Sequence, residues 1–268
     1  MAIIGVILLI IGIVVICVRQ FSTQKHYEQL AGSAIEKVGE VLAIYKETRE
    51  SLGEERNSVE KDLAVMGMPE CDEPLISPLG QKPCIYYSMK VTSSRTEHYT
   101  EKDSEGKTVQ KTRTVTDTLD QSTNSTRFKI NDGTGTIMVD PKDGTFDGAV
   151  KSVDKSEIRQ PDAGASISFG GFSLNLSGGN NNIREPQTIK YEEEIIGLDR
   201  KLTVMGTLRD SMGDFVIEKT PKKSLSISTR SLEDKLAEVK SSLKTQLIVA
   251  AVLGGIGLIL TIIGLINN

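Results

Sequence analysis

Two uncharged apolar runs bracket this chain, and between them the spacing of apolar and polar positions changes period several times. Ala2 to Val18, AIIGVILLIIGIVVICV, and Leu247 to Ile266, LIVAAVLGGIGLILTIIGLI, each hold 13 Ile, Leu and Val residues. As helices they extend about 25–30 Å, close to the thickness of a bilayer hydrocarbon core. They predict transmembrane helices over residues 1–18 and 247–266. From Gln24 to Asp62, Leu30, Ala34, Val38, Leu42 and Tyr45 recur at helical spacing, with Ser51-Leu52-Gly53 a break after which Glu54 to Asp62 resumes. Ser231 to Lys244 does the same with Leu232, Leu236, Val239 and Leu243, and Ser231 with Asp234 resembles a capping box. The two stripes predict juxtamembrane helices over 19–62 and 231–246, narrow enough to pack on each other.

From Leu63 the period becomes two. LAVMGMPE reads as a strand, followed by a turn-rich segment with three prolines and then the strand CIYYSMKVTSS. EHYTEKDSEGKTVQKTRTVTDTL predicts a long hairpin whose alternating threonines suit a solvated face. FKINDGTGTIMVDP predicts a second hairpin, with Phe128, Ile130, Ile137 and Val139 inward, a turn at Asp132-Gly133, and Pro141 ending the pair. Residues 161–186 are rich in Gly and Asn and predict an insertion, either a flap or a Gly-kinked hairpin. Strands resume in QTIKYEEEIIGLDRKLTVMGTLRDSMGDFVIEK. There Leu202-Thr203-Val204-Met205-Gly206 echoes Leu63-Ala64-Val65-Met66-Gly67, a strand–Gly unit suited to curved strands in small barrels. The predicted fold class is membrane-anchored α+β: two transmembrane helices and juxtamembrane helices flanking a β-rich, barrel-like domain over residues 63–222.

Charge refines this organisation. Arg19 and Lys25 follow the first apolar run, and Lys235, Lys240 and Lys244 precede the second. Basic residues on the loop side predict a two-span integral membrane protein with a cytoplasmic central domain. A bulky Ile16 before Cys17 and the absence of a basic leader argue for an uncleaved anchor. With 32 Lys and Arg against 36 Asp and Glu, the net charge of −4 supplies no field for nucleic acid. The bilayer and an unidentified protein or small ligand are the expected partners. Ala250-x-x-x-Gly254 and Ala251-x-x-x-Gly255 place small residues at helical spacing, suiting close helix packing within the chain or in a homodimer.

Chemistry is sparse. Three Cys, of which Cys71 and Cys84 lie 13 positions apart, and two His, His26 and His98, offer no zinc spacing. Asp140, Asp143 and Asp147 do not fit a calcium loop. No phosphate loop or nucleophile elbow is present. The sequence therefore predicts no cofactor, no metal and no catalytic constellation.

Three stretches nevertheless resemble the GIDE domain, also called BAM for "beside a membrane". They are ECDEPLISPLGQKPCIYYSMKV, FKINDGTGTIMVDP and the YEEEIIGLDRKLTVMGTL block. Its motif positions fall on Glu70, Pro74, Leu75, Pro78, Pro83, Cys84 and Tyr86, then Phe128 and Asp132-x-x-Gly135, then Glu194 through Gly197 before Val204-x-Gly206. That domain occurs in membrane-anchored organellar E3 ubiquitin ligases of the GIDE/MAPL type, so the resemblance implies a ligase-family fold. The RING finger that follows the second span in those ligases has no counterpart before Asn268, so the resemblance is to a RING-less, prokaryotic-type form. The expected role is a binding or scaffold module gripping its partner through Glu70, Pro74, Leu75, Pro78, Pro83, Cys84 and Tyr86. The alternatives are a ligase-family member acting through a partner's catalytic domain, and a membrane-organising protein.

Overall fold

A computed structural model describes residues 34–52, 60–160, 166–175, 186–211, 214–238, 240–242, 244, 245, 248 and 249. The chain divides into two compact units, residues 36–229 and residues 1–35 with 230–268. In the second of these, residues 232–238 are helical (α2). The Ser231 hydroxyl accepts the Asp234 amide at 3.1 Å and donates to the Asp234 carboxylate at 2.7 Å, so the cap read from sequence forms.

The larger unit opens with α1 (Val38–Leu52) and is otherwise β. β1 (Glu60–Glu70), β2 (Leu75–Ile76), β3 (Pro83–Cys84), β4 (Tyr86–Lys102) and β5 (Thr108–Ser125) come first. β6 (Phe128–Asn131), β7 (Thr136–Val139), β8 (Thr145–Asp147), β9 (Val150–Arg159), β10 (Ser166–Phe169) and β11 (Phe172–Asn175) follow. The last four are β12 (Gln187–Ile196), β13 (Leu202–Ser211), β14 (Asp214–Glu218) and β15 (Ser226–Ser228).

Five strands close on themselves. β1 pairs with β6, β6 with β7, β7 in parallel with β14, β14 with β13, and β13 with β1. Counting only these five, the circuit runs 1-2-3-5-4-1 with a parallel contact between the third and fifth strands, the connectivity of an OB-type barrel. β1 can serve both neighbours because it bends. Residues 60–67 pair with β13 and residues 68–70 with β6. The turning point is Gly67, where a Cβ would lie 2.3 Å from the Asn131 carbonyl oxygen. The echoed pentapeptides face one another, Leu63 opposite Gly206, Val65 opposite Val204 and Gly67 opposite Leu202. Phe128, Ile130, Ile137, Val139, Val204, Leu208 and Ile217 fill the interior.

The helix is docked from a distance in sequence. Asp132, in the β6–β7 turn, accepts the Val38 amide at 2.8 Å on Oδ2, and the Thr134 hydroxyl accepts the Gly39 amide at 3.0 Å. These satisfy two of the orphan donors at the N-terminus of α1. Oδ1 of Asp132 meanwhile takes the Thr134 and Gly135 amides, which shapes the turn. Burial works to raise the Asp132 pKa, but the Val38, Thr134 and Gly135 donors outweigh it and hold the carboxyl below its ordinary value. A Cβ on Gly135 would meet the Gly39 amide nitrogen at 3.1 Å, and a Cβ on Gly39 would meet the Thr134 carbonyl oxygen at 2.5 Å.

Two insertions into the barrel build a second layer. The segment between β1 and β6 supplies β4 and β5, and the segment between β7 and β13 supplies β9 and β12. Together they form an antiparallel sheet in the order β5-β4-β12-β9. One face buries Met89, Val91, Ile189 and Tyr191 beneath the β10–β11 hairpin, whose Ile167 and Phe172 close over them. Residues 166–175 are thus a Gly-turned hairpin seated on the sheet.

Several expectations are corrected. Among the described residues no helix is long and apolar enough to cross a membrane. α1 spans only about 22 Å at 1.5 Å per residue and carries five charged side chains. The described fold is mostly strand with short helices, and the α+β class with two transmembrane helices, together with the two-span membrane localisation, is not upheld. Residues 1–18 lie outside the described residues, as do 250–266, including Ala250, Ala251, Gly254 and Gly255. The helix read from Gln24 with a break at Ser51-Leu52-Gly53 is described as Val38–Leu52, and the expected resumption is corrected at its end, because Glu60–Asp62 pair with Thr207–Arg209 as strand. Of the helix's stripe, Val38, Leu42 and Tyr45 pack on the barrel core together with Val41 from outside the stripe, Ala34 is exposed, Leu30 lies outside the described residues, and the Tyr45 ring lies 6.3 Å from that of Phe215.

Candidate functional site

The three-proline segment between β1 and β4 folds into a small clamped hairpin. Leu75 pairs with Cys84 and Ile76 with Pro83. Prolines at 74, 78 and 83 restrict the backbone on both arms. The fully buried Ser77 closes the loop: its amide donates to the Lys82 carbonyl at 2.9 Å, and its hydroxyl accepts the Lys82 amide at 3.1 Å. Gln81, at φ 51°, donates from its side chain to the Ser77 and Pro78 carbonyls.

What fixes this turn comes from β12. Glu193 is 1% exposed, and its carboxylate accepts the Leu79 amide at 2.7 Å and the Gly80 amide at 2.9 Å, one on each oxygen. Two charge-assisted bonds to backbone amides are what keep a buried carboxylate satisfied. From the other side, the Gly171 amide of the β10–β11 turn donates to the Pro78 carbonyl at 2.9 Å. Gly80 has no room for a side chain, since a Cβ would sit 2.2 Å from Ser152 Oγ and 2.7 Å from Glu193 Oε1.

Cys84 is fully buried at the foot of the hairpin. Burial, and then the Glu193 charge, push its thiol up to about 11. A nucleophilic cysteine needs the opposite, a depressed pKa beside a cation or helix N-terminus. Tyr86 stacks on Phe146 with ring centroids 4.0 Å apart. Pro74, Leu75 and Pro78 are half-buried, Pro83 is exposed, and Ile76 beside it is 55% exposed.

The structure therefore gathers Leu75, Pro83 and Cys84 in one hairpin, with Pro74 and Pro78 flanking β2. Glu70 goes elsewhere. With Leu42, Lys46, Arg127, Lys129 and Phe215 it lines a groove of about 720 Å³. Lys46, Arg127 and Lys129 facing Glu70, Asp214 and Glu218 give that groove mixed charge. Asp140, Asp143 and Asp147 do not converge, and among the described residues no group of three His, Cys, Asp or Glu could hold a metal ion.

Glu193 and its two amides were not singled out from the sequence, although a signal exists. Ile189, Tyr191, Glu193 and Ile195 share one side of β12, so Glu193 is a charge at an inward position. Within YEEEII it is hidden among neighbours that face out.

The architecture is an OB-type barrel carrying an inserted antiparallel sheet, with the turn between β2 and β3 held by a buried carboxylate from β12. The GIDE family model, described as E3 Ubiquitin ligase, matches residues 96–263, more than half of the chain. The chain belongs to that family. The matched region includes Phe128, Asp132-x-x-Gly135 and the Glu194–Gly206 block, while the clamped hairpin precedes it. No curated protein and no solved structure matches the chain.

Proposed function

We propose that this chain is a partner-recognition module of the ubiquitin-ligase family, gripping a protein or small ligand through the hairpin at residues 74–83 without a bond-making site of its own. The observation that carries this reading is the Glu193 clamp. A hairpin whose turn is held by a buried carboxylate loses little freedom on binding through its exposed arms, so the entropic cost that weakens most loop contacts is already met in folding. Pro74, Pro83 and the outward Ile76 make its presented face apolar and stiff, the composition of a binding anchor. A second reading, that a partner supplies the catalytic domain, is favoured by membership of the ubiquitin-ligase family.

Two measurements test this. A photo-crosslinker placed at Ile76 is expected to capture a discrete partner that the same probe at exposed Lys222 does not. In parallel, the purified chain is mixed with ubiquitin-charged conjugating enzymes and discharge is followed. Equal capture from both positions, or none from either, removes the hairpin as the grip. Discharge by the chain alone overturns the claim that it lacks chemistry, and discharge that appears only with an added RING protein supports the second reading.

A further inference from the structure

The long β4–β5 hairpin reaches beyond the sheet it belongs to. β12 pairs with β4 only as far as Thr188 opposite Ser94, whereas β4 and β5 continue together to Lys102 opposite Thr108. β5 is the outermost strand of its sheet, and among the described residues no strand pairs with its far edge. A strand edge of this length presents a row of unpaired amides and carbonyls, a template for another strand.

The sequence along that edge is self-complementary. Thr112-Arg113-Thr114-Val115-Thr116-Asp117-Thr118 reads as a palindrome about Val115, except that Arg stands opposite Asp. We propose that β5 pairs antiparallel with β5 of a second copy of this chain, on a two-fold axis through Val115. Arg113 then faces Asp117 of the second copy twice, while Thr112 faces Thr118 and Thr114 faces Thr116. One face of the joined ribbon carries alternating charge and the other a threonine ladder, both favoured cross-strand arrangements. A slip of one residue in either direction puts both charges opposite threonine, so the charges specify the register. The existing contacts extend the pattern. Glu97 lies 2.9 Å from Arg113, and Arg95 pairs with Asp117, which gives an alternation from Glu97 through Arg113 to Asp117 and Arg95 of the second copy. Arg113 also lies over the Tyr99 ring at 5.7 Å, which holds it on that face.

The ends of the pairing are set as well. Regular β4–β5 register runs from Thr108 to Thr118 and shifts next, where Asp120 rather than Leu119 meets Val91. A bulge there stops a neighbouring strand from continuing past Thr118. The result is a seven-residue contact about 24 Å long, at the small end of specific interfaces. The dimer is accordingly weak and concentration-dependent, and it joins two four-stranded sheets into one of eight.

Sedimentation equilibrium of the full chain tests this. The wild type is expected to dimerise in the micromolar range. Arg113→Asp and Asp117→Arg each place like charges opposite one another twice and weaken the dimer by roughly tenfold or more. Mixing the two variants, or combining both changes in one chain, restores opposite charges and recovers association. Val115→Cys, which places two thiols directly across the axis, is expected to give an oxidised covalent dimer that the wild type, with its native cysteines, does not. A chain that stays monomeric to several hundred micromolar overturns the proposal. So does a dimer that ignores both single charge reversals, or one in which the Val115→Cys pair fails to crosslink. Far-UV circular dichroism confirms that each variant retains its fold.

Discussion

Replacing Glu193 by Gln should loosen the 74–83 hairpin from beneath while leaving the shape of its site almost unchanged. Each carboxylate oxygen accepts one backbone amide, from Leu79 at 2.7 Å and from Gly80 at 2.9 Å. A glutamine offers one oxygen and one NH2, so one amide keeps its acceptor and the other faces a second donor in a site with 1% exposure. Stranding one buried donor costs about 1–3 kcal/mol. Glu193→Ala strands both amides and leaves a void, so its cost rises to about 3–5 kcal/mol. The chain has no Trp, so urea unfolding is followed by far-UV circular dichroism. Hydrogen exchange supplies the local readout. The Leu79 and Gly80 amides sit in a turn yet should exchange slowly in the wild type, and Glu193→Gln should speed at least one of them tenfold or more. If the Gln variant unfolds within about 0.5 kcal/mol of wild type and both amides keep their protection, the carboxylate does not hold the turn.

Asp132→Asn removes the charge that caps α1 and should cost about 1–2 kcal/mol near neutral pH. Because donors hold the Asp132 carboxyl below its ordinary value, its contribution is complete above that ordinary value and is lost as pH falls through the folded one. The variant should therefore show a flatter acid limb in a plot of urea midpoint against pH, and an unchanged limb would refute the cap. Cys84, pushed up to about 11 from 9.0, stays protonated in the fold while an unfolded chain would ionise. Its contribution is complete below pH 9 and disappears as pH rises through 11, so Cys84→Ala should lose the corresponding alkaline decline. In the native wild type, iodoacetamide at pH 8 should label the half-exposed Cys71 well before Cys84, and equal rates would contradict the burial.

The parts of this fold that were legible from sequence are those whose partners lie nearby. The β6–β7 hairpin shows as two apolar alternations around Asp132-Gly133, and every residue of its predicted inner face is buried. The Ser231 cap is equally local. Glu60–Asp62 are ambiguous by themselves, since three charged residues suit the end of a helix as well as an edge of strand. What decides is Thr207, whose hydroxyl donates to Asp62 at 2.8 Å across 145 positions of chain. The same distance effect concealed the purpose of Asp132-x-x-Gly135. The motif can be seen, but the helix it caps begins 94 residues earlier. The apolar stripe of α1 reads as a helix-packing seam until the barrel beneath it is known, because periodicity shows which side is buried and not what buries it. For the hairpin, prolines announced a rigid turn, and the carboxylate that secures it lay among three consecutive glutamates.

The facing echo of β1 and β13 has a consequence for how the protein is made. Val65 and Val204, the centre of that seam, are separated by 139 positions. At ribosomal speeds of roughly 5–20 residues per second, β1 waits about 7–28 s for its mate to be synthesised. During that interval its apolar side can be covered only by provisional contacts, while the β4–β5 ribbon, whose contacts are local, is free to zip at once. Birth order thus runs from the ornament inward, with the cylinder wall sealed last.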